Sequence, residues 1–166
     1  MKPWMSDQEI DLVKKYLSED KVMLEWGSGG STCTFSPLVK EYYSIEHVKE
    51  WYENVEEFLK LQIYRSKVFN YLVEPDKPRT IPTKYEEFQT YIEYVDKLNK
   101  KYDIVLIDGR ARLDCAKYII PYLNENAVIF IHDYFHRPQY YKVTDYYTLV
   151  DAVTFGQSIA AFKLKI

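Results

Sequence analysis

The sequence is poor in cysteine and glycine, and it contains no long hydrophobic run. Its two cysteines, Cys33 and Cys115, show no metal-binding spacing such as C-x-x-C, which predicts two reduced, buried thiols in a cytoplasmic protein. No apolar stretch reaches the roughly 20 residues that a membrane-spanning helix needs. The opening residues, MKPWMSDQEI, lack the apolar core of a signal peptide. We therefore expect no membrane span.

A large excess of positive charge is also missing. The net charge is −3, so we do not expect a nucleic acid as partner. Of the 166 residues, 47% are hydrophobic and 28% are charged, which is typical of a globular chain. This length suits a single domain. The sequence does not decide whether the protein forms an oligomer. Within 1–166 we expect an N-terminal helix in 1–20, an α/β core in 21–133, and a loop with a terminal hairpin in 134–166.

Apolar patterns predict strands that alternate with helices up to about residue 133. The expected helices are 7–19, 31–40, 48–61, 85–99 and 114–123, and the expected strands are 21–26, 42–46, 67–73, 102–107, 127–131, 149–154 and 159–165. Ser6 and Glu9 have the spacing of a capping box. The central strands are apolar without alternation, as in strands covered on both faces. We predict an α/β fold, a Rossmann-like three-layer sandwich with a mostly parallel sheet and a C-terminal antiparallel hairpin.

Acidic residues stand at the expected carboxyl ends of the strands. They are Glu25, Glu46, Glu74, Asp108 and, after His132, Asp133. In a parallel α/β sheet the ligand crevice lies beyond these ends. Carboxylates accept hydrogen bonds from the hydroxyls of a ribose, and they balance a positive charge. The pattern therefore predicts a ligand that carries hydroxyl groups and a cationic centre.

Residues 24–32 read LEWGSGGST and hold three of the five glycines. Such a cluster permits a sharp turn or the close approach of a ligand to the backbone. A dinucleotide site needs G-x-G-x-x-G, but Thr32 stands at the third glycine position and Glu25 would face a phosphate. No G-K-[ST] follows, which excludes a P-loop. A nicotinamide-dependent oxidoreductase stays as a less favoured alternative.

The spacing Glu25-x-Gly27-x-Gly29 resembles the [DE]-x-G-x-G motif of class I S-adenosylmethionine-dependent methyltransferases. In that family an acidic residue at the end of the second strand holds the ribose, and Glu46 stands there, 19 residues after Gly27. The resemblance covers nearly the whole chain and makes 21–133 the cofactor-binding core. It implies that S-adenosylmethionine is the cofactor. The implied cofactor-binding residues are Glu25, Gly27, Ser28, Gly29, Gly30, Ser31, Glu46 and Asp108.

Three segments, LEWGSGGST, YDIVLIDGRAR and VIFIHDYFHR, are together similar to a narrower subgroup. In it the fourth strand ends in I-D-G and the fifth in H-D, as in plant glucuronoxylan methyltransferases and glycan-decorating methyltransferase domains of large algal viruses. The resemblance implies O-methylation of a sugar hydroxyl, with a sugar or glycan as acceptor. Small-molecule or protein methyltransferases of the same fold remain alternatives, and so does a non-catalytic cofactor-binding module.

A sugar hydroxyl needs a general base or a metal ion before it attacks a methyl group. His132 or Asp133 is the expected base, and the sequence does not separate the two. Metal-dependent O-methyltransferases of similar fold place a divalent ion between strands four and five. That resemblance implies Mg or Mn on Asp108 and Asp133. Asp108 is thus a candidate for catalysis as well as for cofactor binding.

The acceptor is expected to meet residues that follow strands four and five. An arginine there can bind a carboxylate or sugar hydroxyls through its forked guanidinium group. The aromatic-rich segment after residue 133 can stack on a sugar face, or it can pack against the terminal hairpin. The expected acceptor-binding residues are Arg110, Tyr134, His136 and Arg137.

Overall fold

The structure is a computed structural model, and it describes residues 1–62, 67–81 and 83–165. Within them one sheet contains β1 (Val22–Trp26), β2 (Glu41–Glu46), β3 (Lys67–Leu72), β4 (Tyr102–Ile107), β5 (Leu123–His132), β6 (Tyr147–Val153) and β7 (Ile159–Leu164). The strands lie in the order β3-β2-β1-β4-β5-β7-β6. Strands β1 to β5 are parallel, whereas β7 runs antiparallel to β5 and to β6. The predicted fold, a mostly parallel sheet with a C-terminal antiparallel hairpin, is confirmed.

Short helices connect these strands. They are α1 (Asp7–Lys14), α2 (Gly30–Phe35), α3 (Lys49–Lys60), α4 (Gln89–Glu93), α5 (Val95–Leu98) and α6 (Arg112–Tyr118). The described residues also form four 3-10 helices, Ser36–Leu38, Tyr85–Glu87, Ile120–Tyr122 and Pro138–Asp145. The last of them lies where only a loop was predicted. Across the described ranges, every helix is too short or too polar to cross a membrane.

The central strands bury side chains on both faces of the sheet. On β1, Leu24 and Trp26 join one apolar cluster and Met23 joins the other. On β5, Ile129 belongs to the first cluster and Phe130 to the second. Both faces of the apolar part of each strand are covered, which explains why these runs show no apolar–polar alternation. Packing on both sides holds the carboxyl ends of β1, β4 and β5 side by side.

The single helix predicted for 85–99 is wrong. Phe88 leaves helical geometry, with φ −130° and ψ 22°, and its side chain is buried in the core. Tyr85–Glu87 is therefore a 3-10 turn, and α4 and α5 follow it as two short helices. Asn99 ends α5 in the left-handed conformation with φ 47°. The apolar spacing of the segment was helical, but core packing around Phe88 decided its path.

Several further boundaries differ from the prediction. Helix α2 ends at Phe35 rather than at residue 40, and α6 ends at Tyr118 rather than at residue 123. Helix α1 ends at Lys14 rather than at residue 19, because the Tyr16 N–H bonds the carbonyl of Val13 in a tighter turn. Strand β5 begins at Leu123, four residues before the predicted start. The stretch 124–126 is polar and exposed, so it carries no apolar strand signal.

Candidate functional site

The carboxyl ends of β1, β2, β4 and β5 open onto a cavity of about 400 Å³. This volume is within the range of small-molecule sites, and the position agrees with the crevice rule for parallel sheets. Most of the predicted site residues line it. They are Gly27, Ser28, Gly29, Gly30, Ser31, Glu46, Asp108, Arg110, His132, Asp133 and Arg137.

The glycine loop turns at Gly27, whose φ is +104°. Residues with side chains rarely adopt this conformation, so the position favours glycine strongly. Space is short as well, because a Cβ at Gly27 would lie 2.8 Å from the backbone nitrogen of Gly109. The loop after β1 therefore meets the loop after β4 backbone to backbone at the cavity.

Gly29 and Gly30 have different neighbours. Gly29 is extended, with φ 173°, and a Cβ there would meet no atom of the described residues within 4 Å. A Cβ at Gly30 would instead overlap the carbonyl of Lys2. Gly29 thus leaves space for a ligand, whereas Gly30 leaves space for the N-terminal segment of the chain.

Glu25 lies beneath the glycine loop rather than in the cavity wall, and it is fully buried. Its carboxylate accepts hydrogen bonds from the hydroxyls of Ser31, Thr32 (2.6 Å), Tyr42 (2.9 Å) and Ser44 (3.1 Å). These donors offset the cost of burying a carboxylate, and they tie the start of α2 to β1 and β2. Glu25 therefore supports the loop from below, which differs from the predicted direct contact with a cofactor.

Glu25 makes the stability of the protein depend on pH. Burial raises the pKa of Glu25 to about 7, although hydrogen bonds from Ser31, Thr32 and Tyr42 lower it. The folded protein holds this proton more tightly than the unfolded chain does. The resulting stability is complete below the ordinary carboxyl pKa and is lost as pH rises through about 7. For this fully buried group the loss is on the order of 3 kcal/mol.

The measurement is the free energy of unfolding in urea at a series of pH values, for the natural chain and for Glu25→Gln. The substitution adds an offset from altered hydrogen bonds, but that offset does not change with pH. We expect the natural chain to lose about 3 kcal/mol relative to the variant between about pH 4 and about pH 8. Parallel curves would show that Glu25 does not titrate in this way.

Glu46 ends β2 and lines the cavity, although it is only 3% exposed. Its Oε1 accepts hydrogen bonds from the backbone N–H groups of His47 and Val48, each at 2.7 Å. The Nδ1 atom of His47 lies 3.0 Å from the same oxygen. The carboxylate is therefore held in one orientation at the strand end, next to the glycine loop.

Asp108, His132 and Asp133 lie together at the ends of β4 and β5. His132 Nδ1 is 2.9 Å from Asp108 Oδ1 and 3.9 Å from Asp133 Oδ1. Burial lowers the pKa of His132, but the hydrogen bond with Asp108 and the charges of both carboxylates outweigh it and raise the pKa. The imidazolium form is therefore more favoured here than in an ordinary histidine, and Nδ1 faces Asp108.

Asp133 adopts a left-handed backbone conformation, with φ +54°. Non-glycine residues in this region store about 1–3 kcal/mol of strain, and such strain concentrates at functional sites. The Asp133 N–H donates to the carbonyl of Ser158 at 2.8 Å, which helps to hold the turn. Its Oδ2 lies 3.1 Å from Arg112 and 3.3 Å from Arg137. The turn thus brings this carboxylate into the cavity wall between two guanidinium groups.

Arg112 ties the ends of β4 and β5 together. Its side chain is 8% exposed, and its Nε donates to the carbonyl of Gly109 at 2.9 Å. Nη1 donates to the carbonyl of His132 and lies 3.1 Å from Asp133. Nη2 lies 3.3 Å from Asp108. One buried guanidinium therefore pairs with both carboxylates of the cluster.

The predicted metal pair is brought together, since ligand atoms of Asp108, His132 and Asp133 lie within 4.8 Å of one another. However, Arg112 already pairs with both carboxylates. A divalent ion would have to compete with that guanidinium for the carboxylates of Asp108 and Asp133. The arrangement does not fit Mg or Mn, and we derive no step through a metal ion.

Arg110 and Arg137 line the cavity next to this cluster. Burial, followed by the charges of Arg79, Arg112 and Arg137, lowers the pKa of Arg110. A guanidinium nevertheless stays charged at neutral pH. The concentration of forked cationic donors suits an acceptor with carboxylate or hydroxyl groups.

Tyr134 and His136 lie outside the cavity wall, so the geometry does not support them as acceptor-binding residues. Tyr134 is 5% exposed, and its ring packs edge-on against Phe135 and Phe162. His136 Nε2 lies 3.0 Å from the carbonyl of Gly156, in the turn of the terminal hairpin. The aromatic segment therefore packs against the hairpin, which was the alternative expectation for it.

The N-terminal segment contributes to the cavity in a way that the sequence did not indicate. Met1, Lys2, Pro3 and Trp4 of this segment line the cavity. The other lining residues that were not predicted are His47, Val48, Trp51, Gly109, Arg112 and Gln157. The rings of Trp4 and Trp51 meet edge-on with 5.3 Å between their centroids. No motif links these two positions, because their contact depends on the path of the chain before α1.

Comparisons with known proteins identify the fold. No family model matches the sequence, and a comparison with curated proteins finds no match. A methyltransferase-like protein from Silicibacter pomeroyi is 24% identical, with 97% of this chain and 87% of that chain covered and a TM-score of 0.78. A methyltransferase from Geobacter sulfurreducens is 12% identical, with 98% and 82% covered and a TM-score of 0.71. An SAH-bound methyltransferase from Podospora anserina is 14% identical, with 98% and 81% covered and a TM-score of 0.65. The chain thus has the Rossmann-like fold of these methyltransferases.

Proposed function

We propose that the protein is an S-adenosylmethionine-dependent methyltransferase that methylates an oxygen atom of a sugar or glycan. The observation that carries the proposal is the set of residues that line the cavity. The glycine loop and Glu46 line it at the ends of β1 and β2, and Asp108, His132 and Asp133 line it at the ends of β4 and β5. In this proposal, the cofactor site and the proton-handling cluster are parts of one cavity.

The cofactor would lie against the glycine loop. Gly29 offers open space beside the backbone, and Glu46 offers a carboxylate for ribose hydroxyls. Asp108 adds a negative charge that suits a sulfonium centre. One structural neighbour was solved with SAH bound, which supports this choice. The residues that we assign to the cofactor are Gly27, Ser28, Gly29, Gly30, Ser31, Glu46 and Asp108, with Glu25 supporting the loop.

When bound, S-adenosylmethionine supplies an electrophilic methyl carbon, and the chain must orient the acceptor oxygen and take its proton. We assign Asp133 as the general base that accepts the proton of the acceptor hydroxyl. Its Oδ2 is paired with Arg112 and Arg137, which leaves Oδ1 for the acceptor hydroxyl. Nδ1 of His132 is already paired with Asp108, so His132 supports Asp133 as a positive charge 3.9 Å away.

The acceptor would meet Arg110 and Arg137, whose forked donors suit the hydroxyl or carboxylate groups of a sugar. The resemblance of the glycine loop and of the two strand ends to glycan methyltransferases supports this acceptor class. Small-molecule and protein acceptors are the other acceptors to be tested. Both cysteines are buried and free, which is consistent with the cytoplasmic location that we propose.

The proposal is tested first by thermal denaturation with S-adenosylmethionine, S-adenosylhomocysteine or NAD. A ligand that binds only the folded protein stabilises it by about 2.7 kcal/mol at one hundred times its dissociation constant. For a chain of this length we expect the midpoint to rise by about 5–10 °C with the two adenosyl compounds. NAD is expected to cause no rise.

Other outcomes separate the alternatives. A rise with NAD alone would favour the oxidoreductase. Added Mg or Mn should not increase the effect of S-adenosylmethionine, because Arg112 pairs with both carboxylates. Transfer of a labelled methyl group to oligosaccharides, but not to phenols or proteins, would support the acceptor class. Cofactor binding with no transfer to any of the three would favour a non-catalytic module.

A further inference from the structure

Helix α1 carries a buried carboxylate, that of Glu9, and the capping box accounts for only one of its two oxygens. Glu9 is 0% exposed, and its Oε2 accepts the Ser6 N–H at 2.7 Å in the predicted capping box. Its Oε1 has no hydrogen-bond donor among the described residues. That oxygen lies 3.5 Å from the Nε2 atom of His132. This nitrogen atom is also buried, and it has no hydrogen-bond partner among the described residues.

The two ring nitrogens of His132 therefore face carboxylates from different elements. Nε2 faces Glu9 of α1, and Nδ1 faces Asp108 at the end of β4. We propose that Glu9 is a positioning residue for His132: its Oε1 accepts a hydrogen bond from the Nε2–H group and so holds the imidazole ring with Nδ1 against Asp108. This inference rests on the proposed function, because it assigns Glu9 to the same proton-handling cluster.

Capping alone does not account for Glu9. The neutral amide of glutamine would also accept the Ser6 N–H, so the cap does not require a charge. Burying an ionised carboxylate is costly unless it is paired. Within the described residues, the basic group that faces Glu9 Oε1 is the His132 ring, whose pKa is raised above its ordinary value. The burial of Glu9 is thus explained by its partner and not by the helix terminus.

The charges around His132 agree with a ring that is protonated on both nitrogens. Three carboxylates surround it, those of Glu9, Asp108 and Asp133. Arg112 pairs with both aspartates, and Arg137 pairs with Asp133. With His132 as a cation, three positive and three negative charges balance. A neutral ring would leave one buried nitrogen lone pair against a carboxylate.

The test is the protonation state of each ring nitrogen, read from long-range proton–nitrogen NMR spectra of the chain labelled in histidine. The chain has only three histidines, so the His47→Gln and His136→Gln variants assign the signals of His132. In the natural chain at neutral pH we expect both nitrogens of His132 to carry a proton. In Glu9→Gln we expect the Nε2 signal to move to the range of an unprotonated nitrogen, because the amide can donate to it.

Two variants of α1 serve as matched controls. Ser6→Ala removes the hydroxyl that caps Glu9 N–H, so it weakens the helix terminus without removing the Glu9 carboxylate. Asp11→Asn removes an exposed carboxylate of the same helix. Both are expected to leave the signals of His132 unchanged. A shift in Ser6→Ala equal to that in Glu9→Gln would overturn the proposal, since a general effect of α1 would then suffice.

A singly protonated His132 in the natural chain would also overturn it, and this measurement needs no variant to fold. The same samples are titrated with S-adenosylmethionine. Failure of the natural chain to bind would contradict the proposed function, whereas the NMR result would still decide the role of Glu9.

Discussion

Gly27→Ala is expected to abolish binding of S-adenosylmethionine and to destabilise the protein by at least about 3 kcal/mol. Two physical causes add. A left-handed φ of +104° is strained for alanine, and its Cβ would lie 2.8 Å from the backbone of Gly109. The contacted atoms belong to the backbone at the end of β4, so the neighbour cannot rotate away. The measurements are urea unfolding and a thermal-shift titration with S-adenosylmethionine.

Gly29→Ala is the matched control two residues away. Its backbone is extended, and the new methyl group would meet no described atom within 4 Å. We expect its free energy of unfolding to stay within about 0.5 kcal/mol of the natural value. Its affinity for the cofactor should fall, because the methyl group would occupy cavity space. Equal stability of the two variants would refute the role of the Gly27 turn.

Arg112→Met is expected to destabilise the protein by about 3 kcal/mol, even though methionine keeps much of the side-chain volume. Removal of the guanidinium leaves Asp108 and Asp133 without the cation that pairs with both. It also removes donors to the carbonyls of Gly109 and His132. The two aspartates are 26% and 22% exposed, so we place the effect at the lower end of the range for buried pairs. Urea unfolding at neutral pH measures it.

Arg110→Met provides the comparison for Arg112. Arg110 also lines the cavity, but its pKa is lowered by burial and then by the positive charges of Arg79, Arg112 and Arg137. Its removal relieves repulsion, and we expect a change in stability within about 0.5 kcal/mol. Under the proposed function it should weaken the acceptor instead. A similar loss of stability in both variants would contradict the stabilising role that we assign to the pairing of Arg112 with Asp108 and Asp133.

The elements of the fold differ in how far local sequence predicted them. Strands β1, β4 and β5 were predicted because buried parallel strands are continuous apolar runs, a signal that needs no partner to be recognised. The helix predicted for 85–99 failed because its apolar spacing does not say that Phe88 enters the core outside helical geometry. Helix boundaries depend on such competition between local hydrogen bonds and side-chain burial.

The candidate site shows the same division. Strand ends place Glu46, Asp108 and Asp133 in the cavity wall, and this could be predicted because strand direction and order dictate it. In the sequence, Glu9 indicates only a helix cap, and nothing at Arg112 indicates that it pairs with two carboxylates. Tyr134 was misplaced because an aromatic residue suits a binding loop and a core equally well.

The sequence by itself determined the α/β fold, the position of the crevice and the glycine turn. These follow from periodicity, strand ends and backbone freedom, which are properties of neighbouring residues. Only the tertiary structure decided that Glu25 lies beneath the loop, that Arg112 pairs with two carboxylates, and that Glu9 faces His132. The physical reason is that the cost of burying a charge depends on partners brought close by folding, and sequence spacing does not encode those distances.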